Sequence, residues 1–345
     1  MVADKGPYEQ AYDEDLNKLS MANRFIACND ATGKAKGKFD CANMDISSYI
    51  YNAELGCNSQ ELIGFTYIND LWGWTDPQTG EEYALVGMFD GTSVVDITDP
   101  SDPVGLGFIE TSGDLSPDDT SGFWRDMKVA NNVAYIGSEI AHHGVQVFDL
   151  SRLSTLERPN AFKGKGNGGD KGENVGQIPT GKQVTRLEPD LVITSAGTSH
   201  NIVQFPEVNK VLVVGLSEDS EACDVTKGES VAVFDVSDPL DPILETCLSG
   251  DYNVCTPDKD CSYDGYVHDG QCIIYDGPDD DYKGVPICVF FVETEVVIFN
   301  MDTDAVINKF TWPDAAYGKT LILWLIVTER FSHHLSLRSS PRLVQ

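Results

Sequence analysis

The feature that most restricts the fold of this chain is a short unit that recurs four times. It is clearest at residues 69–104, NDLWGWTDPQTGEEYALVGMFDGTSVVDITDPSDPV. Three strand-forming runs stand there, at residues 70–74, 83–88 and 92–97. Turn formers separate them: Thr75-Asp-Pro-Gln-Thr-Gly80 first, then Asp90-Gly91. The unit closes on Thr98-Asp-Pro-Ser-Asp-Pro103, where two prolines are expected to end strand pairing. Such a unit cannot bury both of its faces, so it requires neighbours.

The neighbours are present. The last run, Val94-Val-Asp-Ile-Thr-Asp-Pro100, returns as Val147-Phe-Asp-Leu-Ser151 and Val233-Phe-Asp-Val-Ser-Asp-Pro239, and weakly as Ile298-Phe-Asn-Met-Asp302. The opening run returns as Trp124-Arg-Asp-Met-Lys-Val129, Ser199-His-Asn-Ile-Val203 and Val267-His-Asp-Gly-Gln-Cys272. An apolar middle run lies between them, at 133–137, 211–215 and 287–291. Four degenerate copies at irregular intervals point to an all-β repeat of sheet blades, with one irregular β-sandwich as the alternative.

With 24 basic against 55 acidic residues the net charge is −31. That balance argues against nucleic acid, whose binding needs Lys and Arg, and against anionic membrane surfaces. The apolar run 321–327 is far shorter than the roughly 20 residues of a membrane helix, so no membrane span is expected. Nine cysteines fall at 28, 41, 57, 223, 247, 255, 261, 272 and 288, with no Cys-x-x-Cys pair to form a zinc site. Their spacing favours disulfides and an oxidising compartment over scattered free thiols. The expected pairs are Cys28–Cys41, Cys223–Cys247, Cys255–Cys261 and Cys272–Cys288, with Cys57 left over. The first residues lack the apolar core of a signal peptide, so secretion would require a leader upstream of this Met.

Three regions follow. Residues 1–40 hold a short amphipathic helix (Tyr12, Leu16, Leu19 and Ile26 at helical spacing) and a cysteine-flanked loop at 30–38. Residues 41–317 carry the repeats. Two insertions interrupt them, at 154–182, with a Gly- and Lys-rich centre, and at 248–266. Residues 318–345 lose the blade pattern and all acidic residues after Glu329; this aberrant tail is expected to be a translated intron or shifted frame.

These residues resemble the LVIVD-repeat proteins of the choice-of-anchor B family. The resemblance rests on Cys41-Ala-Asn-Met-Asp, Asn69-Asp-Leu-Trp-Gly-Trp-Thr-Asp-Pro, Asp90-Gly-Thr-Ser-Val-Val-Asp-Ile-Thr-Asp-Pro and Trp124-Arg-Asp-Met-Lys-Val. It rests also on Gly144-Val-Gln-Val-Phe-Asp-Leu and on Tyr266-Val-His-Asp-Gly-Gln-Cys-Ile-Ile-Tyr-Asp-Gly-Pro-Asp-Asp-Asp-Tyr-Lys-Gly, across roughly residues 28–317. It implies a secreted or surface-attached β-propeller-like repeat protein with no established enzymatic activity. Members of the family continue with further repeats after the fourth, which makes this propeller a truncated one.

In a propeller the innermost strand of each blade lines a central channel. If the opening strands are innermost, Asp70, Arg125 with Asp126, His200 with Asn201, and His268 with Asp269 face one funnel. Carboxylates, an amide and imidazoles there suit a cation or small polar ligand. The alternative is that these pairs hydrogen-bond adjacent blades and hold them together. A second candidate is the loop carrying Asp276, Asp279, Asp280 and Asp281, whose carboxylates offer oxygen ligands for Ca2+, although their spacing is not that of an EF-hand loop and favours an ordinary acidic turn. His142 and His143 are neighbours on the way into a strand, where alternate residues face opposite sides. No Gly-x-Ser-x-Gly elbow occurs.

The function expected from these residues is a non-enzymatic, extracellular or cell-surface binding module that acts as a monomer and meets a protein or glycan partner. The alternative is a metal-dependent propeller hydrolase with its site in the channel.

Overall fold

The structure, a computed structural model, describes residues 27–29, 31–35, 39–48, 50, 55–56, 67–116, 120–156, 185–249, 266–292 and 295–310. The expected N-terminal helix, Cys57, the Cys255–Cys261 pair, the glycine-rich insertion and the tail from Gly318 lie outside these residues.

At the start, three two-residue strands form a miniature antiparallel sheet: β1 (Cys28–Asn29), β2 (Lys34–Ala35) and β3 (Phe39–Asp40). The segment between Cys28 and Cys41, expected as a loop, thus contains a strand pair around a turn in which Gly33 takes φ +61°.

Four larger sheets follow in chain order. The first holds β4 (Ile68–Thr75), β5 (Glu82–Met88), β6 (Gly91–Asp96) and β7 (Val104–Glu110). The second holds β8 (Arg125–Ala130), β9 (Val133–Ser138) and β10 (Val145–Asp149). Beyond β10 the chain crosses back to lay β11 (Thr185–Leu187) parallel on β7, then returns as β12 (Leu191–Ile193) to complete the second sheet. The third comprises β13 (Asn201–Phe205), β14 (Lys210–Val214), β15 (Glu229–Asp235) and β16 (Ile243–Ser249). The fourth comprises β17 (Val267–Ile274), β18 (Pro286–Val292), β19 (Val296–Asn300) and β20 (Ala305–Phe310). Apart from β11, which adds a parallel fifth strand to the first, each is an antiparallel four-stranded array consistent with a blade. Closure of the four into a ring is not seen among the described residues.

The sheets stack face to face. Leu85, Met127, Ile136 and Phe148 form the layer between the first and second; Tyr135, Val147, Ile202 and Val213 that between the second and third. Leu212, Val214, Phe290 and Val297 fill the layer between the third and fourth. Strand β14 explains why the middle runs are apolar without alternation. Val211 and Val213 serve one layer while Leu212 and Val214 serve the next, so both faces are buried.

The repeated Asp at the end of each third strand has one local cause. Its side chain bends back to accept the N–H two residues on: Asp96 from Thr98 at 2.9 Å, Asp149 from Ser151 at 2.9 Å and Asp235 from Ser237 at 2.7 Å. Asn300 does the same for Asp302 at 2.9 Å. These Asx turns end the strand by giving the backbone an alternative partner.

Two expectations need correction. The prolines at 100 and 103 do not end pairing, because they fall within the turn and β7 starts at Val104, directly after Pro103. The repeat therefore has four strands where the sequence displayed three. β11 and β12 were missed altogether, being three residues long and too short to show a period.

Among the described residues three disulfides are formed: Cys28–Cys41, Cys223–Cys247 and Cys272–Cys288. The last joins directly opposed residues of β17 and β18. Among the described residues no helix is long and apolar enough to cross a membrane.

Candidate functional site

The four opening strands, β4, β8, β13 and β17, lie side by side in chain order, each packed on the next. Between them is a cavity of about 400 Å³ bordered by Asp70, Arg125, Asp126, His200, Asn201, His268 and Asp269. The structure therefore brings together all seven residues singled out from the repeats, but it gives them different tasks.

Some bind sheet to sheet. Arg125 is 2% exposed, and its guanidinium turns away into the first sheet, donating from Nε to the Met88 carbonyl at 3.1 Å and from Nη2 to Thr111 Oγ1 at 2.8 Å. Its Nη1 meets His143 Nε2 at 2.9 Å. Burial pulls the guanidinium down to about 10 and, with the Arg125 charge beside it, His143 down to about 3. His143 is thus a neutral acceptor, with Nδ1–H donating to the Gly144 carbonyl at 2.8 Å. Asn201 donates to the His268 carbonyl at 2.9 Å, and Asp126 accepts the Ile202 N–H at 2.7 Å. Asn69 donates to the Arg125 carbonyl. A register shift between Ile68 and Leu71 sets Asn69 in the role that Asn201 has one interface later, and leaves Asp70 at the cavity.

The others face the cavity. Lys128 bridges to Asp126, lies 4.0 Å from Asp70 and sits 4.8 Å above the Trp72 ring. Burial works against charge on Asp126, but Lys128, a hydrogen bond from Asp70 and the Ile202 N–H hold it below the usual carboxylate range. Asp70 is raised to about 7 by burial and by its hydrogen bond to, and repulsion from, Asp126. The two carboxyls thus share a proton near neutrality. Asp269 is raised to about 6, by burial first and by the Asp126 charge, against a hydrogen bond from the Gly270 N–H at 2.7 Å.

A second group adjoins Asp269. The His200 ring lies 4.1 Å from that of His268, and its Nδ1 pairs with Glu139. Trp124 lies 6.2 Å from His200 and Tyr266 lies 6.1 Å from it. Burial and the neighbouring His200 lower His268 to about 4, so it is neutral at physiological pH; its buried Nδ1 has no hydrogen-bond partner among the described residues. Gly215 makes the close approach possible. It takes φ +67°, and a Cβ there would lie 2.5 Å from that of His200.

Sequence reasoning missed Trp72, Lys128 and Glu139. The first two lie two residues beyond Asp70 and Asp126, on the same face of their strands, and alternation alone would have found them. Glu139 follows β9 outside the repeated motif and carried no signal.

The acidic loop is occupied with its own fold. Asp279 is 5% exposed and caps the 3-10 turn Asp280–Tyr282 by accepting the Asp281 N–H, while exposed Asp280 pairs with Lys283 at 2.7 Å. Asp276 and Asp281 are exposed. The metal-type grouping present among the described residues is Cys223, Glu229 and Cys247, whose sulfurs are joined in a disulfide. His142 stands exposed in a turn against Asp114 at 3.0 Å, apart from its buried neighbour.

Comparison with known proteins adds little. No protein family matches the chain, and no curated protein matches it. The LVIVD resemblance therefore stands on its motifs alone. One similar solved structure is the extracellular domain of BT4673 from B. thetaiotaomicron, described as a one-component system. It shares 9% identity over 71% of this chain and 24% of that one, with a TM-score of 0.38. The chain thus spans less than a quarter of the protein it resembles, and so distant a likeness carries no argument about function.

Proposed function

We propose that this chain is a secreted or cell-surface binding module of β-propeller type, whose opening strands form a central site for a small polar ligand. The observation that carries the reading is the convergence of Asp70, Asp126 and Asp269 on one cavity at the meeting of four sheets. Burying two carboxyls until burial pushes them up to about 6 and about 7 lowers the stability of the fold. Groups held at such cost mark functional sites more often than structural ones. The three disulfides support an oxidising, extracellular setting. The outer loops remain available to a protein or glycan partner of the monomer.

A metal-dependent hydrolase is the second reading, favoured by the two adjacent imidazoles of His200 and His268. A thermal melt of chelator-treated protein, with a panel of saccharides, amines, Ca2+ and Zn2+, tests both. A ligand of the folded state raises the midpoint in a concentration-dependent way, adding about 2.7 kcal/mol of stability at a hundredfold excess over Kd. A shift abolished by Asp269→Asn supports the cavity. A shift given by Zn2+ alone and abolished by His268→Ala favours the hydrolase. A panel without any shift counts against the cavity as a binding site.

A further inference from the structure

We propose that the ligand is an organic cation, its ammonium group set against Asp269 and its carbon skeleton laid on the Trp124 indole. The inference rests on the binding reading above and names its ligand class.

The cavity displays this recognition once already. Lys128 brings an ammonium between Asp126 and Asp70 with Trp72 beneath it at 4.8 Å, a carboxylate-and-indole arrangement characteristic of ammonium groups. The far side repeats the same parts. Asp269 supplies the carboxylate, with one oxygen on the Gly270 N–H and no lysine or arginine paired to it among the described residues. Trp124 supplies the aromatic surface and is 51% exposed although it borders the cavity. His268 borders the same cavity, and its buried Nδ1 has no hydrogen-bond partner among the described residues.

Charge decides the class. The titratable groups facing Asp269 are Asp70 from β4, Asp126 and Lys128 from β8, His200 just before β13 and His268 from β17, with Glu139 behind His200. Lys128 pairs with Asp126, Glu139 is taken up by His200, and His268 is neutral, so Asp269 is the carboxyl left for a ligand on this side. The net charge of −31 draws cations toward the molecule as well. An anion would be repelled by the Asp269 carboxylate. A neutral sugar would stack on Trp124 but leave the Asp269 charge uncompensated.

The test is a titration of tryptophan fluorescence with n-butylammonium and 1,4-diaminobutane, beside n-butanol, glucose and Ca2+, at pH 5 and pH 8. Saturable amine binding is expected, about tenfold tighter at pH 8, because a carboxyl titrating near 6 is only about one-tenth ionised at pH 5. Asp269→Asn should weaken amine binding about tenfold at pH 8 and leave only the smaller pH dependence that Asp70, raised to about 7, contributes. Trp124→Ala should weaken it while keeping the pH dependence, and far-ultraviolet circular dichroism checks that both variants fold. Equal binding of n-butanol, or amine binding unchanged in Asp269→Asn, overturns the proposal. Saturable binding of glucose or Ca2+ without the amines overturns the cation class but keeps the cavity as a binding site. No saturation by any probe overturns the proposal and counts against the binding reading too.

Discussion

Replacing Asp269 by Asn isolates the energetic cost of the cavity. The carboxyl is raised from 3.8 to about 6, chiefly by burial. Because the folded value lies above the unfolded one, the group favours folding while protonated, and that advantage is lost as pH rises through about 6. A shift of roughly 2 units corresponds to about 3 kcal/mol, fully expressed at pH 8 and falling below about 1 kcal/mol at pH 4. Asn keeps the shape and still accepts the Gly270 N–H, but it never ionises. The variant should therefore be more stable than the wild type by about 3 kcal/mol at pH 8 and nearly equal at pH 4. Urea unfolding with disulfides intact, followed by tryptophan fluorescence at both pH values, measures the difference. A variant no more stable at pH 8, or equally stabilised at both pH values, would refute the assignment of strain to this carboxyl.

Other outcomes follow from the same contacts. Arg125→Met leaves the Met88 carbonyl, Thr111 and His143 without their shared donor, and should cost about 3 kcal/mol in the same urea assay. Neutral His143 is held down to about 3, so its contribution is present above about 6.5 and declines by about 1.4 kcal/mol per pH unit on acidification; His143→Gln should shift acid unfolding to lower pH. Gly215→Ala places a Cβ against His200 at a positive φ and should cost about 2–4 kcal/mol, visible as a lowered Tm. Removing Cys223–Cys247 by paired alanines, which opens a loop with a sequence separation of 24, should cost about 3 kcal/mol by denaturant titration.

The repeat was legible because each copy solves the same local problem. The Asp or Asn that ends each third strand closes its own turn, so Asp96, Asp149, Asp235 and Asn300 recur whatever packs around them. The fourth strands were hidden because Val104–Glu110 and Ile243–Ser249 follow proline turns that look like terminators. The cavity was legible through the polar pairs of the opening strands, but the division of labour within it was not. Arg125 and Asp126 are sequence neighbours on opposite faces of one strand; the first reaches into the sheet interface and the second meets Lys128. Only the stacking of sheets decides which face is which. Glu139 reaches His200 across 61 residues of chain, a distance over which local pattern carries no information.

The most direct test of the central claim is saturation-transfer NMR of a chemically diverse small-molecule library against the wild type and a folded Trp124→Ala/Asp269→Asn double variant. The account predicts compounds whose saturation signal appears with the wild type and vanishes with the variant. The same compounds binding both proteins equally would place recognition elsewhere on the molecule and contradict the account.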